Sequence, residues 1–277
     1  MLVDHATNRT SWDMLAEAHG QDAYYDAASL LAGGSSLIKE EEEVLLRAVG
    51  TKLAGLRVLH LQCHLGFDAI SLARRGAHVT AVDFSEVALA KGSLFAQQCN
   101  VDVEWICADA INLPKELTGR FDLVWATIGV LCWIADLDLW MANVRMVLAG
   151  GGRLVLIDGY PGGRVGSSEG PPKRRYVESG WDYATPLRTG PQVQFGHDLS
   201  SITQAAHWAD LTVLSLAKHE EISNDLRIPG VLQEEDGLYR RRVERRAQPI
   251  LFSMIATLAR NAAMPADHTA VGPSYRA

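Results

Sequence analysis

Arg57 to Asp83 reads RVLHLQCHLGFDAISLARRGAHVTAVD, and the order of elements in this stretch decides the fold. Val58-Leu59-His60-Leu61 is an apolar run of strand length. It breaks at Gly66, and an amphipathic helix is predicted from about Asp68 to Arg75, stopped by Gly76 where helices often need a left-handed residue. Val79 to Val82 is a second buried strand. It ends in Asp83, 17 positions after Gly66. Strand, tight turn, helix, strand and acid together form a unit that holds a nucleoside. The turn backbone faces the ligand at the carboxyl end of the first strand, and the acid of the second strand reaches the ribose hydroxyls.

The turn argues against a dinucleotide. A pyrophosphate needs several glycines, because the backbone must come very close to the phosphates at the helix N-terminus. Here the turn is Gln62-Cys63-His64-Leu65-Gly66-Phe67-Asp68, with one glycine and a carboxylate at the helix start. Asp68 would repel a pyrophosphate but would favour a ligand carrying an ammonium and a sulfonium, as S-adenosyl-L-methionine does. The stretch resembles motif I of the class I methyltransferases, usually written VLDLGCGTG, at Val58, Leu59, Leu61, Cys63 and Gly66. It departs from that motif with His60 in place of an acid, and with Gln62 and His64 in place of glycines. In these departures it is similar to a bacterial small-molecule subgroup whose motif reads LHLQCHFG. The resemblance implies S-adenosyl-L-methionine as cofactor and S-adenosyl-L-homocysteine as its product. It also implies a binding set of Tyr25, Gln62, Cys63, His64, Gly66, Asp68, Asp83, Phe84, Asp109, Ala110 and Thr127. In the family the acid after the third strand bonds the adenine amino group, and Asp109 matches that position.

The alternation continues beyond Asp83. Ser85 sits where an N-cap would start a helix from Glu86 to Gln98. Val103 to Cys107 reads as the third strand and Phe121 to Ala126 as the fourth. Leu137, Trp140, Met141, Val144, Val147 and Leu148 then make one stripe of a core-facing helix, ended by Gly150-Gly151-Gly152. Arg153 to Ile157 is the fifth strand. Asp198 or Ser200 caps a further helix, Leu211 to Ala217 is the sixth strand, and Pro249 to Ala256 is the last, antiparallel in this family. Parallel strands joined by helices give an α/β class. The expected fold is a seven-stranded, mostly parallel sheet flanked by helices, Rossmann-like, with residues 51–260 as the methyltransferase domain. Residues 1–50 form an N-terminal helical cap, 159–198 and 218–248 are substrate-side insertions after the fifth and sixth strands, and 261–277 is a loose tail. The first insertion is rich in Gly, Pro and charge and reads as an irregular lid. The acidic run Glu40 to Glu43 reads as a solvated helix start, and Arg240 to Arg246 as a solvated face.

With 277 residues and a net charge of −7, the chain has ample length for a core and lacks the basic face that nucleic acid needs. Four cysteines without metal-ligand spacing, a polar N-terminus and no apolar run of membrane-spanning length point to a cytoplasmic protein without a metal site. A homodimer is compatible with this reading.

Transfer from an already activated sulfonium asks mainly for positioning, with a general base if the acceptor is protonated. His197 and His64 are the candidate bases; His207 reads as structural. Tyr24, Trp133, Tyr160 and His197 are the candidate acceptor contacts, at the carboxyl edge of the sheet or on segments covering it. The expected function is methylation of a small molecule at O, N or C, in natural-product or other specialised metabolism. Two alternatives on the same fold are a cyclase or isomerase that keeps the cofactor intact and a non-catalytic regulator. A dehydrogenase is disfavoured by the turn.

Overall fold

The strand Arg57–Leu61 (β1) forms where four consecutive residues, Val58 to Leu61, are buried from both sides. Burial on both faces is the signature of a central parallel strand, covered above and below by helices. The computed structural model of the protein describes residues 3–20, 22, 24–161, 173–177, 181–182, 187–188 and 190–260. Before β1 lie three helices: Val3–Ala18 (α1), Ala27–Leu31 (α2) and Lys39–Val49 (α3). After it come Phe67–Arg74 (α4), His78–Asp83 (β2), Glu86–Gln98 (α5), Val103–Cys107 (β3) and Phe121–Thr127 (β4). Leu137–Val147 (α6) and Leu148–Gly159 (β5) complete the first half. Ser85 caps α5 by accepting from the Ala88 amide, Asp136 caps α6 and Asp198 caps the later helix, each at a boundary that leaves amides without helical partners.

The second half contains Lys173–Val177 (β6), Trp181–Asp182 (β7), Leu187–Arg188 (β8), Gln192–Gly196 (β9) and Leu199–Trp208 (α7). Then follow Leu211–His219 (β10), Glu221–Ile222 (β11), Val231–Gln233 (β12), Tyr239–Val243 (β13), Arg246–Gln248 (β14) and Leu251–Leu258 (β15). The main sheet has seven strands in the order β10-β15-β5-β4-β1-β2-β3. β1 pairs in parallel with β2 and β4, and β15 runs antiparallel to both β5 and β10. Strand order therefore reverses between β1 and β4, and open α/β sheets bind ligands at the carboxyl ends of the strands beside such a reversal. One core lies on the α6–α7 face around Trp140 and Phe252, and another on the α3–α4 face around Leu45 and Trp125.

Several expected boundaries move. α4 starts at Phe67, one residue early. β5 begins at Leu148 instead of Arg153, because Leu148 leaves the helix with extended backbone and pairs with Phe121 before a register shift. Gly150-Gly151-Gly152 thus bends a strand start instead of ending a helix. β10 extends to His219 and β15 starts at Leu251. The 159–198 insertion was expected to be irregular. In its described residues it forms two antiparallel ribbons, β6 with β9 and β7 with β8. Much of its Gly- and Pro-rich part, and the expected loose tail at 261–277, lie outside the described residues.

The 218–248 insertion folds into a small antiparallel sheet of β11, β12, β13 and β14. Within it Arg240 pairs with Glu221 at 2.5 Å, Glu234 at 2.9 Å and Asp236 at 2.8 Å, so the arginine run is matched by acids of its own sheet. The acidic run departs from expectation. Glu42 and Glu43 meet water, but Glu40 and Glu41 are buried at the start of α3. Among the described residues no helix is long and apolar enough to cross a membrane, and no cluster of His, Cys, Asp or Glu is arranged to hold a metal ion.

Candidate functional site

The turn leaving β1 is left-handed at Gln62 (φ 57°), His64 (φ 49°) and Gly66 (φ 66°). The first two are the positions where the resembling motif has glycine. A non-glycine residue in this region costs on the order of 1–3 kcal/mol, so its surroundings must hold it there. They do so through side chains. Gln62 Nε2 donates to the Val130 carbonyl at 3.1 Å, while Trp140 Nε1 donates to Gln62 Oε1 at 2.9 Å. The His64 amide donates to Asp83 Oδ2 at 2.8 Å, and His64 Nε2 lies 2.8 Å from His19 Nδ1. Gly66 is needed for another reason. A Cβ there would sit 2.5 Å from the Trp105 ring, so its open side is filled by β3.

Beside this turn lies a cavity of about 450 Å3. One end is where the sequence unit leads us to expect a nucleoside. Asp83 and Phe84 line it, and Asp83 accepts from the amides of His64 and Ser85, one on each oxygen. Each oxygen keeps a lone pair for a ligand hydroxyl. Burial pushes the Asp83 carboxyl up to about 6, against the backbone amides that pull it down.

The opposite, inner end was not legible as a site in the sequence. His60, Asp68, Glu41 and Ser36 meet there with Thr127. Asp68 accepts from Ser36 Oγ at 2.6 Å, Trp125 Nε1 at 3.1 Å and Thr127 Oγ1 at 2.9 Å. Burial, reinforced by Asp68, raises the Glu41 carboxyl well above the ordinary carboxylate range. Burial lowers His60, although Asp68 opposes it, and His60 Nδ1 has no hydrogen-bond partner.

The roof is aromatic. Trp12 of α1 meets His64 edge-on at 5.1 Å and Trp133 at 5.4 Å, and Tyr25 stacks on His19 at 4.4 Å. Asp22 pins this turn by accepting from the amides of Tyr24 and Tyr25. Lys91 of α5 donates to the carbonyls of Ala16, Glu17 and His19 at the end of α1, a favourable place for a cation. The outer wall comes from the second insertion, through Asn224 to Arg227 and Tyr239. The floor of the exit from β4 is fixed by Asp158, which accepts from the amides of Gly129, Val130 and Leu131.

The structure thus brings Tyr24, Tyr25, Gln62, Cys63, His64, Gly66, Asp68, Asp83, Phe84, Thr127 and Trp133 to one cavity. Four other expected residues lie off its wall. His197 Nε2 bonds the Ile134 carbonyl at 2.7 Å, and burial lowers its basicity. The base and acceptor roles expected of it are not supported by this placement. Tyr160 packs against the core, with Lys218 5.2 Å above its ring. Asp109 is taken up by His5 Nδ1 at 2.6 Å and by the Ile111 amide, and Ala110 is buried in the core. Burial alone would raise Asp109, but those two bonds outweigh it and hold the carboxyl below its ordinary value. Trp12, Ser36, Glu41, His60 and the Asn224–Arg227 segment are lining residues that sequence reasoning missed. The only local signal for them was the departure of His60 from the motif.

Residues 58–152 match the family model of a methyltransferase domain. Among curated relatives, the ubiquinone biosynthesis O-methyltransferase of Acinetobacter baumannii (strain AYE) is 44% identical over 73 residues, covering 26% of this chain and 31% of that protein. The chain therefore aligns with about a third of the length of that relative. An S-adenosylmethionine-dependent methyltransferase from Clostridium acetobutylicum is similar in fold, with a TM-score of 0.58 at 13% identity, over 90% of this chain and 99% of the other. The cyclase SpnF has a TM-score of 0.53 at 15% identity, over 89% and 96%. The central segment is thus similar to a methyltransferase domain, and the order of the sheet around it is the fold shared with solved S-adenosylmethionine-dependent methyltransferases.

Proposed function

We propose that the chain is an S-adenosylmethionine-dependent methyltransferase that methylates a small molecule in this cavity. The observation that carries this reading is the joining, in one cavity, of Asp83 at the nucleoside end and the acidic group around Asp68 at the other. The residues present fit the cofactor. Asp83 has lone pairs for ribose hydroxyls, Asp68 suits a cationic ligand, and the unpaired Nδ1 of His60 needs a donor. When bound, the cofactor supplies an electrophilic methyl group on sulfur. Asp83 holds the nucleoside, the Gln62–Gly66 turn fixes the height of the ligand, and the exit loop held by Asp158 aligns the acceptor. Such positioning accounts for most of the rate in an in-line displacement.

An aromatic or apolar acceptor is supported by Trp12, Tyr24, Tyr25 and Trp133, which offer flat apolar faces with few charges. O-methylation is supported by the similarity to ubiquinone biosynthesis O-methyltransferases, a similarity that gives no support to specialised metabolism. His64 is our candidate base, with His19 able to share its proton across 2.8 Å. A cytoplasmic location and a small-molecule partner remain part of the proposal. The cyclase reading rests on likeness of fold to SpnF. Mass spectrometry of a metabolite mixture incubated with protein and cofactor tests all of this. A product heavier by one methyl group, with cofactor consumed, supports the proposal, whereas isomerisation without consumption supports the cyclase.

A further inference from the structure

The outer wall of the cavity, after β11, is fixed more firmly than a surface loop requires. Ile222 is fully buried, and the Ser223 amide and hydroxyl both donate to the Glu40 carboxylate of α3, each at 2.9 Å. Leu226 and Ile228 pack against the core on the α3–α4 face. Between them Arg227 has left-handed backbone (φ 54°), which costs free energy in a residue with a side chain and persists only where the surroundings hold it. One carboxylate does the holding. Asp225 Oδ1 accepts from the Arg227 amide at 2.9 Å, and Oδ2 lies 3.2 Å from Arg227 Nε. That arrangement occupies the base of the guanidinium and leaves both Nη nitrogens without a hydrogen bond among the described residues.

Arg227 is also the one lysine or arginine on the cavity wall among the described residues. The acids on that wall are Glu41, Asp68 and Asp83 besides Asp225. A negatively charged group on an acceptor therefore has a single place of attraction in the cavity. We propose that Arg227 selects an acceptor bearing a carboxylate, which the two Nη nitrogens grip while the aromatic wall of Trp12, Tyr24, Tyr25 and Trp133 takes its ring. The inference deepens the proposed function and rests on it, since it names the substrate class of the same cavity. A planar guanidinium matches a carboxylate with two parallel bonds, a geometry that lysine does not offer. Asp225 aims this fork without filling it, because its oxygens are spent on the Arg227 amide and Nε. The carboxylate serves as a handle, and the oxygen that is methylated is a hydroxyl elsewhere on the same molecule.

Calorimetry of the full chain loaded with S-adenosylhomocysteine tests this with matched pairs. The acids are para-hydroxybenzoate, protocatechuate and para-coumarate, each set beside its neutral carboxamide of nearly the same shape. At least one acid should bind about tenfold more tightly than its amide, the gain from a charge-assisted fork. Arg227→Asn removes the charge but keeps a residue that tolerates left-handed backbone, so the variant should fold. It should bring acid and amide within about twofold of each other and leave S-adenosylhomocysteine within about twofold of its wild-type affinity. Arg227→Lys restores charge without the fork and should recover only part of the preference. The proposal is overturned, with the cofactor reading left standing, if no acid binds the loaded protein at millimolar concentration or none is preferred to its amide. Survival of the preference in Arg227→Asn overturns it too. So does a loss of about tenfold in S-adenosylhomocysteine affinity in that variant, which would give the guanidinium to the cofactor. Failure of S-adenosylhomocysteine to bind the wild-type protein overturns the proposed function and this inference together.

Discussion

The backbone amide of His64 donates to the carboxylate of Asp83 across 2.8 Å, so the turn after the first strand and the acid ending the second form one rigid unit. The ligand therefore meets an acid that is already held, on one oxygen by this amide and on the other by Ser85. Preorganisation of this kind lowers the ordering cost of binding.

Asp83→Asn should weaken S-adenosylhomocysteine by about 10- to 100-fold, the effect of losing hydrogen bonds to a charged acceptor. The wild-type protein should show a matching pH dependence. Asp83 titrates near 6 in the free protein, and its charged form is the better acceptor. Affinity should therefore fall as pH drops through 6 and approach a loss of about tenfold per unit below it. Calorimetric titration between pH 5 and pH 7 with 5′-methylthioadenosine, which carries the nucleoside without the amino-acid end, measures this dependence.

Gln62 is a clamp, and its replacement should show in stability before it shows in binding. Gln62→Ala strands the buried Nε1 of Trp140 and the Val130 carbonyl and keeps a Cβ in left-handed backbone. A loss of about 2–3 kcal/mol is expected in urea unfolding. Gln62→Gly loses the same bonds but relaxes the backbone, and should recover about 1 kcal/mol of that. Equal losses would mean the turn is not strained.

Gly66→Ala should destabilise by about 2–4 kcal/mol, combining left-handed backbone with a contact to Trp105 that has no room to relax. Trp105→Leu should restore part of the loss in the double variant, measured by the same unfolding curves.

The His5–Asp109 pair ties α1 to the end of the third strand. His5→Ala should cost about 1–3 kcal/mol and speed amide exchange in α1, because it leaves a largely buried carboxylate short of a partner. Asp109 is held below its ordinary value, so its contribution to stability is present above pH 4 and is lost as pH falls through its folded pKa.

Sheet order was legible because each strand and helix signal is local. Val58–Leu61, the Ser85 cap and the Leu137–Leu148 stripe read the same in the structure, give or take the boundaries. The meeting of the turn and Asp83 at one end of the cavity was legible for a related reason, since turn and acid lie 17 positions apart in one unit. The inner end was not. Glu41 and Asp68 come together only because the helix before the sheet and the helix after β1 start on the same edge. An acidic run there has the composition of a solvated helix start until tertiary packing buries half of it. His197 misled for the converse reason: its position after an insertion placed it near the edge, but the Ile134 carbonyl holds its ring off the cavity wall.

Whether this fold serves S-adenosylmethionine chemistry is tested most directly by titrating S-adenosylhomocysteine and NAD separately into the wild-type protein, with Asp83→Ala as control. One S-adenosylhomocysteine should bind per chain, NAD should not bind, and the control should lose most of the affinity. No binding of S-adenosylhomocysteine at millimolar concentration, with NAD bound, would contradict the account.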